Sequence, residues 1–168
     1  MRFFQDSVLA SYLKKQDLKT NKSILKDLDQ ILYSTCLRIL KEASVIAASK
    51  KRKSVDLETL NEAILLLYGP KFFKGLEDVE LSLSQKTFSK MVKEACKVYS
   101  CSVTCKRELQ IATEGVLQKG FLEPIKYNDF DPTSKTVSFD LHTLKHINNM
   151  YVIANVELAA ASLIGEAL

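Results

Sequence analysis

The sequence predicts an all-α protein, and three observations carry that prediction. Only 5 Gly and 3 Pro occur in 168 residues, too little punctuation for a chain of many strands and tight turns. Apolar residues recur three and four apart over long stretches, the spacing of a helix with one buried face. The composition, 46% hydrophobic and 26% charged, is that of a chain that can bury a core without disulfide staples. The four cysteines, Cys36, Cys96, Cys101 and Cys105, are too few for the framework of a small secreted domain, so a reducing interior is the expected setting. Met1-Arg2-Phe3-Phe4 runs at once into Gln5-Asp6, and no signal peptide is expected. The most apolar stretch, from Met150 to Leu168, carries Asn155, Glu157 and Glu166 and makes a poor membrane span.

From Phe3 to Gln16, the residues Phe4, Val8, Leu9, Tyr12 and Leu13 form a short helical stripe. Residues 17–22 break it. A long helix is expected from about Ser23, its N-cap, to Lys50. Its stripe is Ile24, Leu28, Ile31, Thr35, Ile39, Ala43 and Ile46. Helices this long usually cross a partner helix. Lys51 to Val55 reads as an extended basic link. Asp56 then caps a third helix that runs to Leu67 with Leu57, Leu60, Ile64 and Leu67 on one face. Gly69-Pro70 stops it, and Phe72 to Ser84 reads as a fourth, shorter helix.

The second half repeats this order. Phe88 to Tyr99 is expected as a short helix with Met91, Val92, Ala95 and either Val98 or Tyr99 inward. Ser100 to Thr104 is a loop. Cys105 to about Tyr127 is a longer helix, with Leu109, Ala112, Val116, Leu117 and Phe121 inward and Pro124 bending or ending it. Asn128 to Ser134 is a connector. Lys135-Thr136-Val137 is extended, Ser138 to Asn148 a short helix and Met150 to Ala167 an apolar one. Lys53-Ser54-Val55-Asp56-Leu57 has its counterpart in Lys135-Thr136-Val137, followed after two inserted residues by Asp140-Leu141. Duplicated units of this kind pack on each other, since neither buries its apolar face alone. The expected organisation is therefore 1–86 and 87–168.

Short helix, long helix, a basic loop reading Lys51-Arg52-Lys53-Ser54-Val55, and short helix: this order resembles the histone fold. The first copy is most similar to histone 2B. The likeness lies in Leu37-Arg38-Ile39-Leu40-Lys41-Glu42-Ala43-Ser44, in the basic loop, and in Ala63-Ile64-Leu65-Leu66-Leu67 with Gly69 following. It extends over residues 4–86. The second, more divergent copy resembles histone 2A by its position, as in the fused doublets of some large DNA viruses. It departs from that family at Asn148-Asn149-Met150, where an acidic cluster is expected, and no basic tail is read at either end.

The resemblance implies two tandem histone folds clasped as an intramolecular pseudo-heterodimer, each first loop beside the other copy's second loop. It implies an architectural role: binding duplex DNA through phosphates, without base readout, in nucleosome-like particles with another histone pair or doublet. The phosphate-binding residues would be Lys22 and Ser23 in the first loop of copy one, and Lys50, Lys51, Arg52, Lys53 and Ser54 around its second. Lys106 and Arg107 flank the first loop of copy two; Lys135 and Thr136 form its second. The net charge of +4 permits such a partner without demanding one. The expected compartment is chromatin-like: a nucleus, viral factory or virion. The alternative is a histone-fold protein-interaction module of a transcription or chromatin complex, with little direct DNA binding.

Cys101/Cys105 and His142/His146 each stand four apart, and zinc would need all four to converge. The ordinary reading is a small buried thiol and a surface imidazole, so no metal or other cofactor is expected. Glu114, Glu123 and Asp129 have no partner by spacing, and there is no glycine-rich loop; neither catalysis nor a small-molecule substrate is expected. Tyr151 to Leu168 reads as core of copy two rather than as a docking surface.

Overall fold

The computed structural model describes residues 2–15, 22–102 and 105–122. Helical elements make up 77% of these residues and none is in a strand, so the all-α class stands. Everything expected beyond residue 122, including Glu123, Asp129, Lys135, Thr136, His142, His146 and the last two helices, lies outside the described residues.

Helix α1 (Asp6–Lys15) has an acid in its first turn and Lys14 and Lys15 in its last, the polarity that suits the helix dipole. It buries Leu9, Tyr12 and Leu13, with Phe4 buried just ahead of it. Val8, expected inward, is exposed.

Helix α2 (Lys22–Ser49) is 28 residues long, about 42 Å. Its buried face is wider than a single stripe. Leu25, Leu32, Cys36, Leu40 and Ala47 are buried beside Leu28, Ile31, Thr35, Ile39 and Ala43, whereas Ile46 is only half-buried. The helix closes on Lys51, whose φ of 58° is left-handed. The Lys51 and Arg52 amides donate back to Ala48 and Ala47 at 3.0 and 2.8 Å. The basic link thus begins as a turn, not as extended chain, because the orphan carbonyls of the helix end take those donors.

Asp56 and Thr59 form a reciprocal capping box for α3 (Leu57–Tyr68). Leu60, Ala63, Ile64 and Tyr68 are buried. Leu57 is 42% exposed: it is the first residue of the helix and precedes the turn that meets the core. At Gly69 (φ 88°) the amide donates to Leu65 O and ends the helix. Pro70 does more than stop it, for it opens α4 (Pro70–Gly75).

The single helix expected over Phe72–Ser84 does not form. A 3-10 turn at Leu76–Asp78 follows α4, and residues 79–84 are not helical. The Ser82 and Leu83 amides are taken instead by the buried Glu114 carboxylate, at 3.0 and 3.3 Å. Leu83 itself is buried.

Ser84 caps α5 (Gln85–Ala95), which starts earlier and ends sooner than Phe88–Tyr99. Phe88, Met91, Val92 and Ala95 face the core, while Val98 is 64% exposed. Helix α6 (Lys106–Gly115) buries Leu109, Ala112 and Thr113, then continues as π-helix over Val116–Leu122. The departure from α geometry therefore comes at Val116, ahead of Pro124. A side chain at Gly115 would place a Cβ 2.6 Å from the end of the Leu76 side chain, which would have to shift to admit it. Helix α3 packs on α4 and α6, and α5 on α6.

The chain forms two compact units. One joins the described residues up to Ile31 with Val116–Leu122; the other is Leu32–Gly115. In the first, the buried Asp29 carboxylate accepts from the Phe3 and Phe4 amides, the latter at 2.8 Å.

Candidate nucleic-acid interface

The basic turn is fixed by one short parallel bridge. Val55 pairs with Cys101: the Val55 amide donates to Ser100 O at 3.0 Å, and the Ser102 amide donates to Val55 O at 2.9 Å. The Cys105 thiol lies 3.9 Å from the same carbonyl. Val55 is fully buried, so the β-branched side chain anchors the strand-like stretch while Lys51 and Lys53 ahead of it stay exposed. The segment carrying Lys50 to Ser54 is thereby set beside the segment that leads into Lys106 and Arg107.

The cations of that turn are not equivalent. Lys50 Nζ pairs with Glu58 at 3.0 Å and with Glu62. Arg52 pairs with Asp56 at 2.8 Å and with Glu58 at 3.0 Å. The bonds to Glu62 and Glu58 push the Lys50 ammonium up from its ordinary value. Those from Lys50 and Arg52 hold the Glu58 carboxyl below its own. Asp56 is also held low, first by the Thr59 amide. That capping carboxylate accepts the Thr59 N–H at 2.9 Å, so this amide at the α3 N-terminus is already bonded. Lys51 and Lys53 are exposed and make no ion pair among the described residues, and the same is true of Arg107 and the half-buried Lys106. Ser54 is half-buried. Lys22 and Ser23 fall in the first turn of α2, Lys22 as its first residue, and nothing is described of their side chains.

The cysteines cluster near the bridge, while His142 and His146, the other pair that spacing singles out, lie outside the described residues. The Cys101 thiol meets those of Cys105 and Cys96, and burial followed by these neighbours pushes it up to about 12. Burial also raises Cys36, on α2, which faces Cys96 and Cys101. Burial raises Cys96 as well, opposed by the Cys101 amide and by Lys106. All four thiols are free. Among the described residues no group of three or more His, Cys, Asp or Glu side chains is arranged to hold a metal ion.

Sequence reasoning missed the carboxylates. Glu114, for which spacing gave no partner, is fully buried; besides the Ser82 and Leu83 amides it accepts from Gln110 at 2.9 Å. Two of its partners lie 31 and 32 residues away. Glu58 and Glu62 reach Lys50 across 8 and 12 residues, beyond the i, i+4 pairs that a helix pattern exposes.

No family model, no curated protein and no solved structure matches the chain. No described helix is long and apolar enough to cross a membrane.

Proposed function

We propose that the chain is a fused pair of histone folds that binds duplex DNA through its phosphates, without sequence preference, in a nucleosome-like particle completed by another histone pair. It would act in a chromatin-like compartment as an architectural protein and not as an enzyme. The observation that carries this reading is the parallel bridge between Val55 and Cys101. A clasp of two histone folds sets the second loop of one copy beside the first loop of the other, and these two residues stand in those loops.

Two further observations support it. The buried residues Phe4, Leu9, Tyr12 and Leu13 recur 79 residues later as the buried Leu83, Phe88, Met91 and Val92. Asp29, Ile31 and Leu32 recur 85 residues later as Glu114, Val116 and Leu117, all buried. The two compact units also divide the chain inside each long helical stretch, after Ile31 and after Gly115, within one residue of the equivalent point. A clasp in which two long helices cross near their middles divides in this way, and the repeat boundary at 86/87 then falls inside a unit.

The pairing of Lys50 and Arg52 with Asp56, Glu58 and Glu62 favours the second reading, a histone-fold module that binds protein. Salt dependence separates the two. Phosphate binding predicts a loss of about 0.9 log units of affinity per contact per log unit of salt. Changing Lys51→Ala with Lys53→Ala should flatten that slope by up to about two contacts, equally on two unrelated duplexes. Affinity that is indifferent both to salt and to this double substitution would leave the protein-interaction module standing.

A further inference from the structure

Four cations crowd the turn between α2 and α3, yet three carboxylates of the next two helical turns face the same space. From this geometry we infer that Glu58 and Glu62 set the DNA affinity of this surface by holding Lys50 and Arg52 out of the phosphate contacts, an inference that rests on the DNA-binding reading above.

Glu58 is the shared element. Its Oε1 accepts from Lys50 Nζ and its Oε2 from Arg52 Nη2, both at 3.0 Å. Lys50 is held a second time by Glu62, and Arg52 a second time by Asp56, which accepts from Nη1 at 2.8 Å. Glu58 and Glu62 stand four apart on α3, a spacing at which like charges repel. Lys50 between them removes that repulsion, so the arrangement supports itself. The side chains of Glu58 and Glu62 are 58% and 41% exposed. Ion pairs this open are weak and screened by salt. A phosphate can take either cation over without first dehydrating it, but only by displacing a carboxylate that stays nearby and repels it. Lys51 and Lys53 meet no such competition. A duplex laid against this turn therefore meets two ready cations and two held ones.

The test uses the full chain and a duplex of about 30 base pairs, with affinity measured across a salt series. In the Glu58→Gln/Glu62→Gln variant, glutamine keeps the size and helix preference of the residue it replaces. Release of two cations should steepen the salt slope by up to about 1.8, two contacts at about 0.9 each, and raise affinity about tenfold or more at low salt. Asp56 is left in place because it caps α3. The charge-matched control is Glu77→Gln/Asp78→Asn on the exposed 3-10 turn, which should steepen nothing. Adding Lys50→Ala and Arg52→Ala should abolish the gain of the first variant while scarcely changing the slope of the parent chain.

If the control raises affinity as much as the Glu58/Glu62 variant, total charge accounts for the effect and the inference fails, with DNA binding intact. A parent chain whose slope already falls by two contacts on losing Lys50 and Arg52 overturns it equally. If neither the parent nor the variant binds duplex at low salt, the DNA-binding reading and the inference fall together.

Discussion

Asp29 and Glu114 perform the same task 85 residues apart. Each is a buried carboxylate on a long helix, and each accepts two consecutive backbone N–H groups from the segment that leads into a short helix, Phe3 and Phe4 in one case and Ser82 and Leu83 in the other. Neither Phe3-Phe4 nor Ser82-Leu83 is helical, so these amides have no ladder to join, and burial without an acceptor would cost about 1–3 kcal/mol each. The carboxylate supplies the acceptor and fixes where the short helix begins.

The first prediction concerns pH. Burial raises the Glu114 carboxyl above its ordinary value, opposed by the Ser82, Gln110 and Leu83 donors. A raised carboxyl binds its proton more tightly in the folded state, so its contribution to stability is present at low pH. It is lost as pH rises from about 4.3 through the folded value. Denaturant titrations across that range should show the fall, and Glu114→Gln should flatten it. Glu114→Ala leaves the Ser82 and Leu83 amides without an acceptor and should cost roughly 3 kcal/mol at neutral pH. A wild-type chain whose stability rises through the same window because of Glu114 would contradict the assigned direction.

Lys51 offers a separation of fold from function. Its left-handed φ of 58° costs an L-residue with a side chain about 1 kcal/mol, and glycine carries no such cost. Lys51→Gly should therefore raise the melting temperature and, on the proposed DNA-binding reading, weaken that binding by one phosphate contact. Calorimetry and a salt series on the same preparation test both halves; a lowered melting temperature would mean that the turn is held in another conformation.

Ile39 and its neighbour Arg38 test the phase of α2. Ile39 is fully buried, and Ile39→Asp would put a carboxylate in apolar surroundings at a cost of several kcal/mol, against a total stability of about 5–15 kcal/mol. The variant should lose its fold. Arg38 is half-buried, and Arg38→Asp should be the milder change. Circular dichroism that found Arg38→Asp unfolded and Ile39→Asp intact would reverse the helix phase.

The thiols should react in an order set by burial. Cys36 is fully buried and held above its ordinary value, and Cys101 is pushed up to about 12. Only the thiolate attacks an alkylating reagent. In native protein near neutral pH both should resist iodoacetamide. The rate at Cys101 should still be climbing at pH 9, whereas Cys36 should react only as fast as the chain unfolds. Mass spectrometry of timed samples reads each site, and rapid labelling of Cys36 in folded protein would place it outside the core.

What the sequence displays of this fold is its local grammar. Asp56 ahead of an apolar run, the long periodic stretch through Ile39, and Gly69 all act on residues within one turn, so their roles are legible from spacing. The remainder depends on partners brought in by folding. Residues 79–84 have a helical look until Glu114 takes their amides, and the basic run looks like free charge until α3 turns Glu58 and Glu62 toward it. Leu57 counts as apolar in any pattern, yet it lies one position too early to meet the core. The candidate interface was legible as a cluster of cations; which of them are available was not.

The division at Gly115 has a consequence for the order in which the protein can be made. Leu32–Gly115 is an uninterrupted stretch, so all its contacts are within reach once that length has left the ribosome. The residues up to Ile31 emerge earlier but belong with Val116–Leu122, which are synthesised later. Domains usually close in the order in which they appear, N-terminal part first. In this chain the oldest segment has to wait, and the middle closes ahead of it. Nascent chains stalled with Gly115 just exposed should already protect Val55 from protease and Cys101 from thiol reagents, while α1, which has no cysteine, remains open to protease.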